Sequence, residues 1–161
     1  MPIFTGKTEK EAGAILSLAI QGLNITPDRG RHIVSYAQTL MRDYENRPSE
    51  ALKEIPLNLK GNERYFASFV IGNYYAPIFI KMETQEVETF LSGVAESLKI
   101  PEDKEMEILD YLADEVMGKM VEAKMTLSDI VKNMANSKFN DIEKGYMFFT
   151  YGLNFVYGKI T

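Results

Sequence analysis

The one histidine of the chain follows two arginines in a segment that favours anions. Arg29, Arg31 and His32 fall in the first turns of a predicted helix, where free backbone N–H groups and the positive end of the helix dipole stabilise a phosphate or carboxylate. Asp28, four residues before the histidine, could orient its imidazole for proton transfer. These residues form a candidate anion-binding site. Because a solvated surface histidine is the commoner use of such a position, we assign no catalytic residue.

Four carboxylates share one face of the sixth predicted helix. They are spaced four, three and four residues apart, at Asp103, Glu107, Asp110 and Asp114. Carboxylate dimetal sites in helical bundles use Glu-x-x-His motifs, and the sequence contains none. We therefore expect a water-exposed acidic face, with no metal and no cofactor. A basic surface would suit it as a partner, and the arginine-bearing half of a second copy is one candidate.

Two asparagines interrupt the longest uncharged runs of the sequence and mark a second candidate site. Buried amides need hydrogen-bond partners, or each costs roughly 1 to 3 kcal/mol. The residues around them predict either a packed interior or a small apolar pocket or interface. The set is Gly72, Asn73, Tyr74, Gly152, Asn154 and Phe155.

Helical periodicity places all of these residues on helices. Apolar residues recur at intervals of three and four, and strand-like alternation does not persist. Capping residues and prolines predict about eight helices, which start at Thr8, Thr26, Ser49, Asn62, Thr84, Pro101, Thr126 or Ser128, and Asn140. Capping boxes are expected at Thr8 with Glu11 and at Asn140 with Glu143. Pro77 should kink or end the fourth helix, and Ile142 should begin the buried stripe of the last. The predicted fold class is all-α.

The same order of four helices occurs twice. At an offset of 75, five of fourteen positions are identical: Leu23 and Leu98, Ile25 and Ile100, Asp28 and Asp103, Ile33 and Ile108, Tyr36 and Tyr111. At an offset of 79 Ser49 meets Ser128, and at 80 Glu63, Phe69 and Gly72 meet Glu143, Phe149 and Gly152. We interpret this as two pseudo-equivalent repeats, at about residues 8–80 and 83–160, that share one core. The fourth helix of each is apolar nearly all round. Its glycine either lets the two backbones approach or makes room for a neighbouring tyrosine.

Length and composition limit the possible classes of protein. The chain has 161 residues, 45% of them apolar and 25% charged, which fits a single domain, residues 1–161, with its own core. Zero cysteines exclude disulfides and thiolate metal sites, and suit a cytoplasmic location. The net charge of −5 disfavours duplex nucleic acid. The longest uncharged runs, 16 and 14 residues, fall short of the ~20 needed to cross a membrane.

These observations leave three functional hypotheses. The leading one is a protein-interaction or structural module that associates with a protein partner or with itself. It rests on the charge asymmetry between residues 1–80, at +1, and residues 81–161, at −6. The alternative is a carrier or sensor of a small apolar ligand, held in a pocket between the two repeats. A third is an enzyme or anion binder at Arg29, Arg31 and His32, although the sequence contains no recognised catalytic or nucleotide-binding motif.

Overall fold

The chain is helical throughout the part that the structure describes. The computed structural model describes the backbone of residues 9–155 and the side chains of residues 13–154. Eight α-helices and no strand occur there, as the sequence predicts. The helices are α1 (Glu9–Gly22), α2 (Pro27–Asp43), α3 (Pro48–Glu54), α4 (Gly61–Phe79), α5 (Thr84–Ser97), α6 (Glu102–Tyr111), α7 (Leu127–Ala135) and α8 (Asp141–Phe155). A 3₁₀ turn, Ile55–Leu57, follows α3, and a π-helix, Leu112–Met120, continues α6.

Side-chain caps fix the starts of four helices, and at α5 the cap is a capping box of Glu83 and Glu86. The hydroxyl of Thr26 accepts a hydrogen bond from the backbone N–H three residues later at 3.3 Å, and that of Thr126 does the same at 3.2 Å. At the start of α8, the Asn140 backbone N–H donates to the Glu143 carboxylate at 3.1 Å, and the Glu143 N–H donates back to the Asn140 side chain at 2.8 Å. The predicted capping box at Asn140 is therefore confirmed.

Other predicted helix ends differ in detail. Ser49 is not the cap of α3, because the helix begins at Pro48, whose preset φ and missing N–H suit the first helical position. Pro77 lies inside α4, which ends two residues later. The predicted capping box of Thr8 and Glu11 lies outside the residues whose side chains the structure describes.

The centre of the molecule is a parallel pair of helices, α4 and α8. Near their N-termini Tyr65 stacks on Phe148, with the ring centroids 5.3 Å apart. Further along, Phe69 lies against Tyr151, with the centroids 5.9 Å apart. Contacts advance along both helices together, so the two helices run in the same direction. All four aromatic side chains are buried, which makes this pair the core on which the other helices pack.

Two glycines allow the backbones of α4 and α8 to touch. A Cβ added to Gly72 would overlap the carbonyl oxygen of Phe149, and one added to Gly152 would overlap the carbonyl oxygen of Phe69. The limiting neighbour is therefore main chain and not a tyrosine side chain. Any larger residue at either position must push the helices apart.

The outer helices cross between the two halves of the chain. α1 packs against α7, and Gly22 brings the two main chains together, because a Cβ there would overlap the carbonyl oxygen of Ser128. In the same way α5 packs against α3. α2 and α3 lie on α4, whereas α6 and α7 lie on α8. Each half thus contributes a helix that covers the other half.

The loops that follow α1 and α5 have the same conformation. Asn24 and Lys99 both adopt a positive φ, 57° and 61°. The next residue in each loop closes a wide turn: the Ile25 N–H donates to the carbonyl of Ile20, and the Ile100 N–H to that of Ala95, both at 2.9 Å. These two loops lie 75 residues apart in the chain, at the offset found in the sequence alignment.

Candidate functional site

The predicted anion site is occupied by internal ion pairs. Arg29 reaches from α2 to α4 and donates to both oxygens of Glu63, with Nε–Oε2 at 2.8 Å and Nη2–Oε1 at 3.0 Å. This hydrogen bond lowers the pKa of the Glu63 carboxyl. Arg31 pairs with Asp28 on the same helix, and His32 is exposed. The guanidinium of Arg29 therefore links α2 to α4, whereas the pair of Arg31 and Asp28 is exposed and lies within one helix.

The second predicted site lies where α4 and α8 are in direct contact. Gly72 and Gly152 touch the opposite main chain, as described above. The Asn154 side chain donates to the carbonyl of Thr150 at 2.9 Å, within its own helix. Tyr74 borders a shallow surface cleft on the α2 side, and the side chain of Phe155 lies outside the described residues. Because α4 and α8 are in direct contact at these glycines, this part of their interface is filled by main-chain atoms.

Asn73 stands out within this set. Its side chain is fully buried, and in the described part of the chain neither its amide nitrogen nor its amide oxygen has a hydrogen-bond partner. Burying an unpaired amide costs roughly 1 to 3 kcal/mol. Asn73 is therefore a local weakness in the core of α4.

The acidic face of α6 and the following π-helix lies on the surface. Glu107 accepts hydrogen bonds from Lys104 and Lys138, both at 3.3 Å, and these bonds lower the pKa of its carboxyl. Among the described residues no three His, Asp or Glu side chains are placed to hold a metal ion. The face therefore presents negative charge at the surface, and part of this charge is paired with lysine.

An open cavity of about 460 Å³ lies between α1 and α2. Most of its wall is apolar, from Gly13, Leu16, Ile20, Pro27, Gly30, Val34 and Phe66. A few polar side chains complete the lining: Ser17, Arg31, Ser35 and Gln38. Apolar walls with a small number of polar groups are typical of small-molecule sites, and the volume falls in their usual range.

Two small features of the sequence shape this cavity. Gly30 brings no side chain into it, and a Cβ there would lie 3.1 Å from the Cδ1 of Ile20. Phe66, which is fully buried in α4, forms part of the wall with a ring that carries no polar atom. The inner surface is therefore apolar, and the polar side chains Ser17 and Arg31 are exposed.

A hydrogen-bonded pair of side chains is buried between α5, α6 and α8. The hydroxyl of Tyr146 donates to Oε2 of Glu105 at 2.7 Å and lies 3.3 Å from the carbonyl of Leu91. Ser92 donates to the other carboxylate oxygen at 3.4 Å. Glu105 is only 6% exposed and Tyr146 is fully buried. Burial, and then the hydrogen bond to Glu105, raises the pKa of the Tyr146 phenol far above its ordinary value.

When the two halves of the sequence are aligned, residues of the buried pair are placed opposite residues that line the cavity. Positions in α1 and α2 match those in α5 and α6 at an offset of 75, and α4 matches α8 at 80. Leucine and serine recur in both places, as Leu16 with Leu91 and Ser17 with Ser92. Three pairs differ in size and polarity: Ile20 and Ala95, Gly30 and Glu105, Phe66 and Tyr146. Sequence reasoning missed this site because it considered the identities of the alignment. The informative positions are those at which the two halves carry different residues.

A smaller cleft, of about 290 Å³, carries positive charge. Lys53, Arg64 and Lys99 border it, together with Pro56, Ser97, Leu98 and Ile142. Arg64 is half-buried, and no carboxylate lies within 4.0 Å of its guanidinium among the described residues. Burial lowers its pKa. The prediction that Ile142 belongs to the buried stripe of α8 is wrong, because this side chain is 43% exposed beside the cleft.

Comparisons with known protein families, with curated proteins and with solved structures give no significant match. In the described part of the chain, none of the helices is both long enough and apolar enough to cross a membrane. The function is therefore argued from this chain's own residues.

Proposed function

We propose that this protein binds a small, largely apolar molecule in the cavity between α1 and α2, as a carrier or sensor. The observation that carries the proposal is the contrast between two corresponding places. Tyr146 and Glu105 fill one of them, whereas Phe66 and Gly30 border open space of about 460 Å³ in the other. The proposed site thus lies within the first half of the chain, and not at Gly72 and Gly152 between the halves.

The contrast is meaningful because the two halves are, we propose, copies of one four-helix unit. The paired loops support this. The loops after α1 and α5 share their positive φ and hydrogen bonds at an offset of 75. The loops after α2 and after the π-helix share a hydrogen bond at an offset of 79 residues. The Asn46 N–H donates to the carbonyl of Met41, and the Met125 N–H donates to that of Met120. Glu45 and Lys124 have φ of 52° and 57° there, and Asn46 has a further positive φ of 61° that Met125 does not share.

Reciprocal contacts also support duplication. Gly72 faces Phe149 and Gly152 faces Phe69, so exchanging the halves exchanges one contact for the other. The packing of α1 on α7 matches that of α5 on α3 in the same sense. Contacts that exchange in this way are typical of an approximate two-fold axis between similar units.

The π-helix is explained by the same proposal. The segment between the two loops of each half is four residues longer in the second half, from Lys99 to Lys124, than in the first, from Asn24 to Glu45. Residues Leu112–Met120 adopt the wider π winding there, which places more residues in each turn than an α-helix does. We propose that this winding accommodates part of the added length.

Native mass spectrometry of protein purified from its own cells tests the binding proposal. We expect a retained small molecule, at one per chain. Val34→Phe adds a ring to the cavity wall, and this variant should lose the molecule. Its matched control is Leu109→Phe, at the corresponding half-buried position of α6, which should keep it. A chain that begins at residue 9 should also keep it. A wild-type protein that retains nothing and binds no apolar probe would contradict the proposal.

We propose self-association as a second function, favoured by the charges around the smaller cleft. Lys53, Arg64 and Lys99 border an otherwise mainly apolar surface that includes exposed Ile142. The acidic face of a second copy, at Asp103, Glu107, Asp110 and Asp114, has the complementary charge. Such charges steer association, and the apolar contact holds it. A cytoplasmic location, supported by the absence of cysteine, is part of the same proposal.

Sedimentation velocity over a range of concentrations tests self-association. We expect a dimer that weakens as salt is added, because exposed charges are screened. Lys99→Glu should weaken the dimer, whereas Lys81→Glu, at an exposed lysine distant in sequence from the cleft, should have little effect. Asp110→Lys combined with Lys99→Glu should restore association. A wild-type monomer at high concentration would contradict this second proposal.

A further inference from the structure

We infer that the ligand of the α1–α2 cavity is an amphipathic monocarboxylate, with one carboxylate on an aliphatic or aromatic body. This inference rests on the proposed function and adds the chemical class of the ligand. It is drawn from what fills the corresponding place in the second half of the chain. There, the buried group is itself a carboxylate, that of Glu105.

The surroundings of Glu105 show what a carboxylate needs in this place. Its two oxygens accept hydrogen bonds from the hydroxyls of Tyr146 and Ser92, at 2.7 Å and 3.4 Å. In the first half, glycine (Gly30) stands at the position of Glu105, and phenylalanine (Phe66) stands at the position of Tyr146. Serine (Ser17) is present at the position of Ser92.

The first half also adds a positive charge that the second half lacks. Arg31 lines the cavity, and the residue 75 positions later is Met106. The cavity therefore lacks the carboxylate found in the second half and has a guanidinium at its edge. A ligand that carries a carboxylate would complement this guanidinium. Arginine is well suited to this role, because its planar fork can donate two parallel hydrogen bonds to a carboxylate.

Arg31 is free to make this contact. Its present partner is Asp28, on the same helix, and both side chains are mostly exposed, at 71% and 83%. An exposed pair of this kind contributes little to stability, at most about 1 kcal/mol. A ligand carboxylate at the cavity mouth can therefore replace Asp28 without a large loss, while the apolar body of the ligand contacts Leu16, Val34 and Phe66.

Calorimetric titration with octanoate and with 1-octanol tests the inference. These probes share an aliphatic chain and differ in the charged end. We expect the wild-type protein to bind octanoate about fivefold more tightly than octanol, with one site per chain. Arg31→Met, which installs the residue found at position 106, should remove most of this preference by weakening octanoate binding more than octanol binding. Arg42→Met serves as the control, because Arg42 is also an exposed arginine of α2 and does not line the cavity.

The outcomes separate the inference from the function on which it rests. Equal affinities for octanoate and octanol would overturn the carboxylate inference and support the apolar site. A preference for octanoate that survives Arg31→Met would also overturn it, since the guanidinium would then have no role. Absence of binding by both probes, together with no retained molecule in the purified protein, would contradict the proposed function itself.

Discussion

The region around Phe66, between α1, α2 and α4, and the region around Tyr146, between α5, α6 and α8, are built from helices that follow the same order in the chain, but only one of these two regions is closed. Around Tyr146 the hydroxyl and the Glu105 carboxylate satisfy each other, and the interior is closed. Around Phe66 no polar atom replaces either group, and a cavity is open between α1 and α2. If the two halves are copies of one unit, as we propose, a few substitutions separate a buried polar pair from an open cavity. The predictions below test how far the two regions correspond.

The largest effect on the free energy of unfolding is expected at the two glycines where α4 and α8 are in contact. Gly72→Ala and Gly152→Ala should each lower the free energy of unfolding by about 3 kcal/mol, because either Cβ would overlap a main-chain oxygen. Chemical denaturation measures both losses. Gly93→Ala is the control: a Cβ there has open space around it, so helix propensity should raise stability by about 0.5 to 1 kcal/mol. A large difference between the losses at Gly72 and Gly152 would argue against equivalent halves.

The next effect concerns the polar pair. Tyr146→Phe installs the ring found at Phe66 and leaves the buried carboxylate of Glu105 without its closest donor. We expect a loss of about 2 kcal/mol in the free energy of unfolding. The reverse change, Phe66→Tyr, extends a fully buried ring that borders the cavity, and we expect its hydroxyl to enter this open space at a cost of less than about 1 kcal/mol. Equal costs for the two changes would show that the two places are equally closed.

The buried amide gives a smaller effect of opposite sign. Asn73 is buried with no hydrogen-bond partner among the described residues, and the residue 80 positions later is the buried Leu153. Asn73→Leu should therefore raise the free energy of unfolding by about 1 kcal/mol. Thermal denaturation detects this as a higher midpoint. A destabilised variant would show that the amide makes an interaction that the packing of α4 requires.

The smallest effect is a dependence on alkaline pH. The raised pKa values of Tyr65, Tyr146 and Tyr151 mean that these phenols stay protonated in the folded state. Their contribution is complete below the unfolded pKa of about 10 and is lost as pH rises above it. For Tyr146 the loss should reach roughly 0.8 kcal/mol at pH 10.5. Urea denaturation at pH 8 and 10.5 should show a shallower decline in Tyr146→Phe, and an identical decline in both proteins would contradict the assignment.

The helices were predictable because their signals are local. Thr26, Thr126 and the pair of Asn140 and Glu143 act within one turn of the helix that they begin, so their role can be read from spacing alone. Glycine at positions 72 and 152 was also informative, since both interrupt apolar helices at matching places.

The site was less predictable because it depends on contacts between distant residues. Arg29 was expected to attract an anion, and its partner proved to be Glu63, 34 residues away on another helix. The exposure of Ile142 and the partners of Glu105 likewise follow from how α5, α6 and α8 pack together. Helical periodicity identifies which side of a helix is apolar. It does not identify where two apolar sides fail to meet, which is what creates the cavity.

Intermolecular nuclear Overhauser effects from methyl-labelled protein to octanoate test the central claim most directly. The account predicts contacts from the ligand chain to the methyl groups of Leu16 and Val34, and none to the corresponding Leu91 and Leu109. Contacts to Leu91 and Leu109, or equal contacts to both pairs, would contradict the claim that, of these two places, the open one is in the first half.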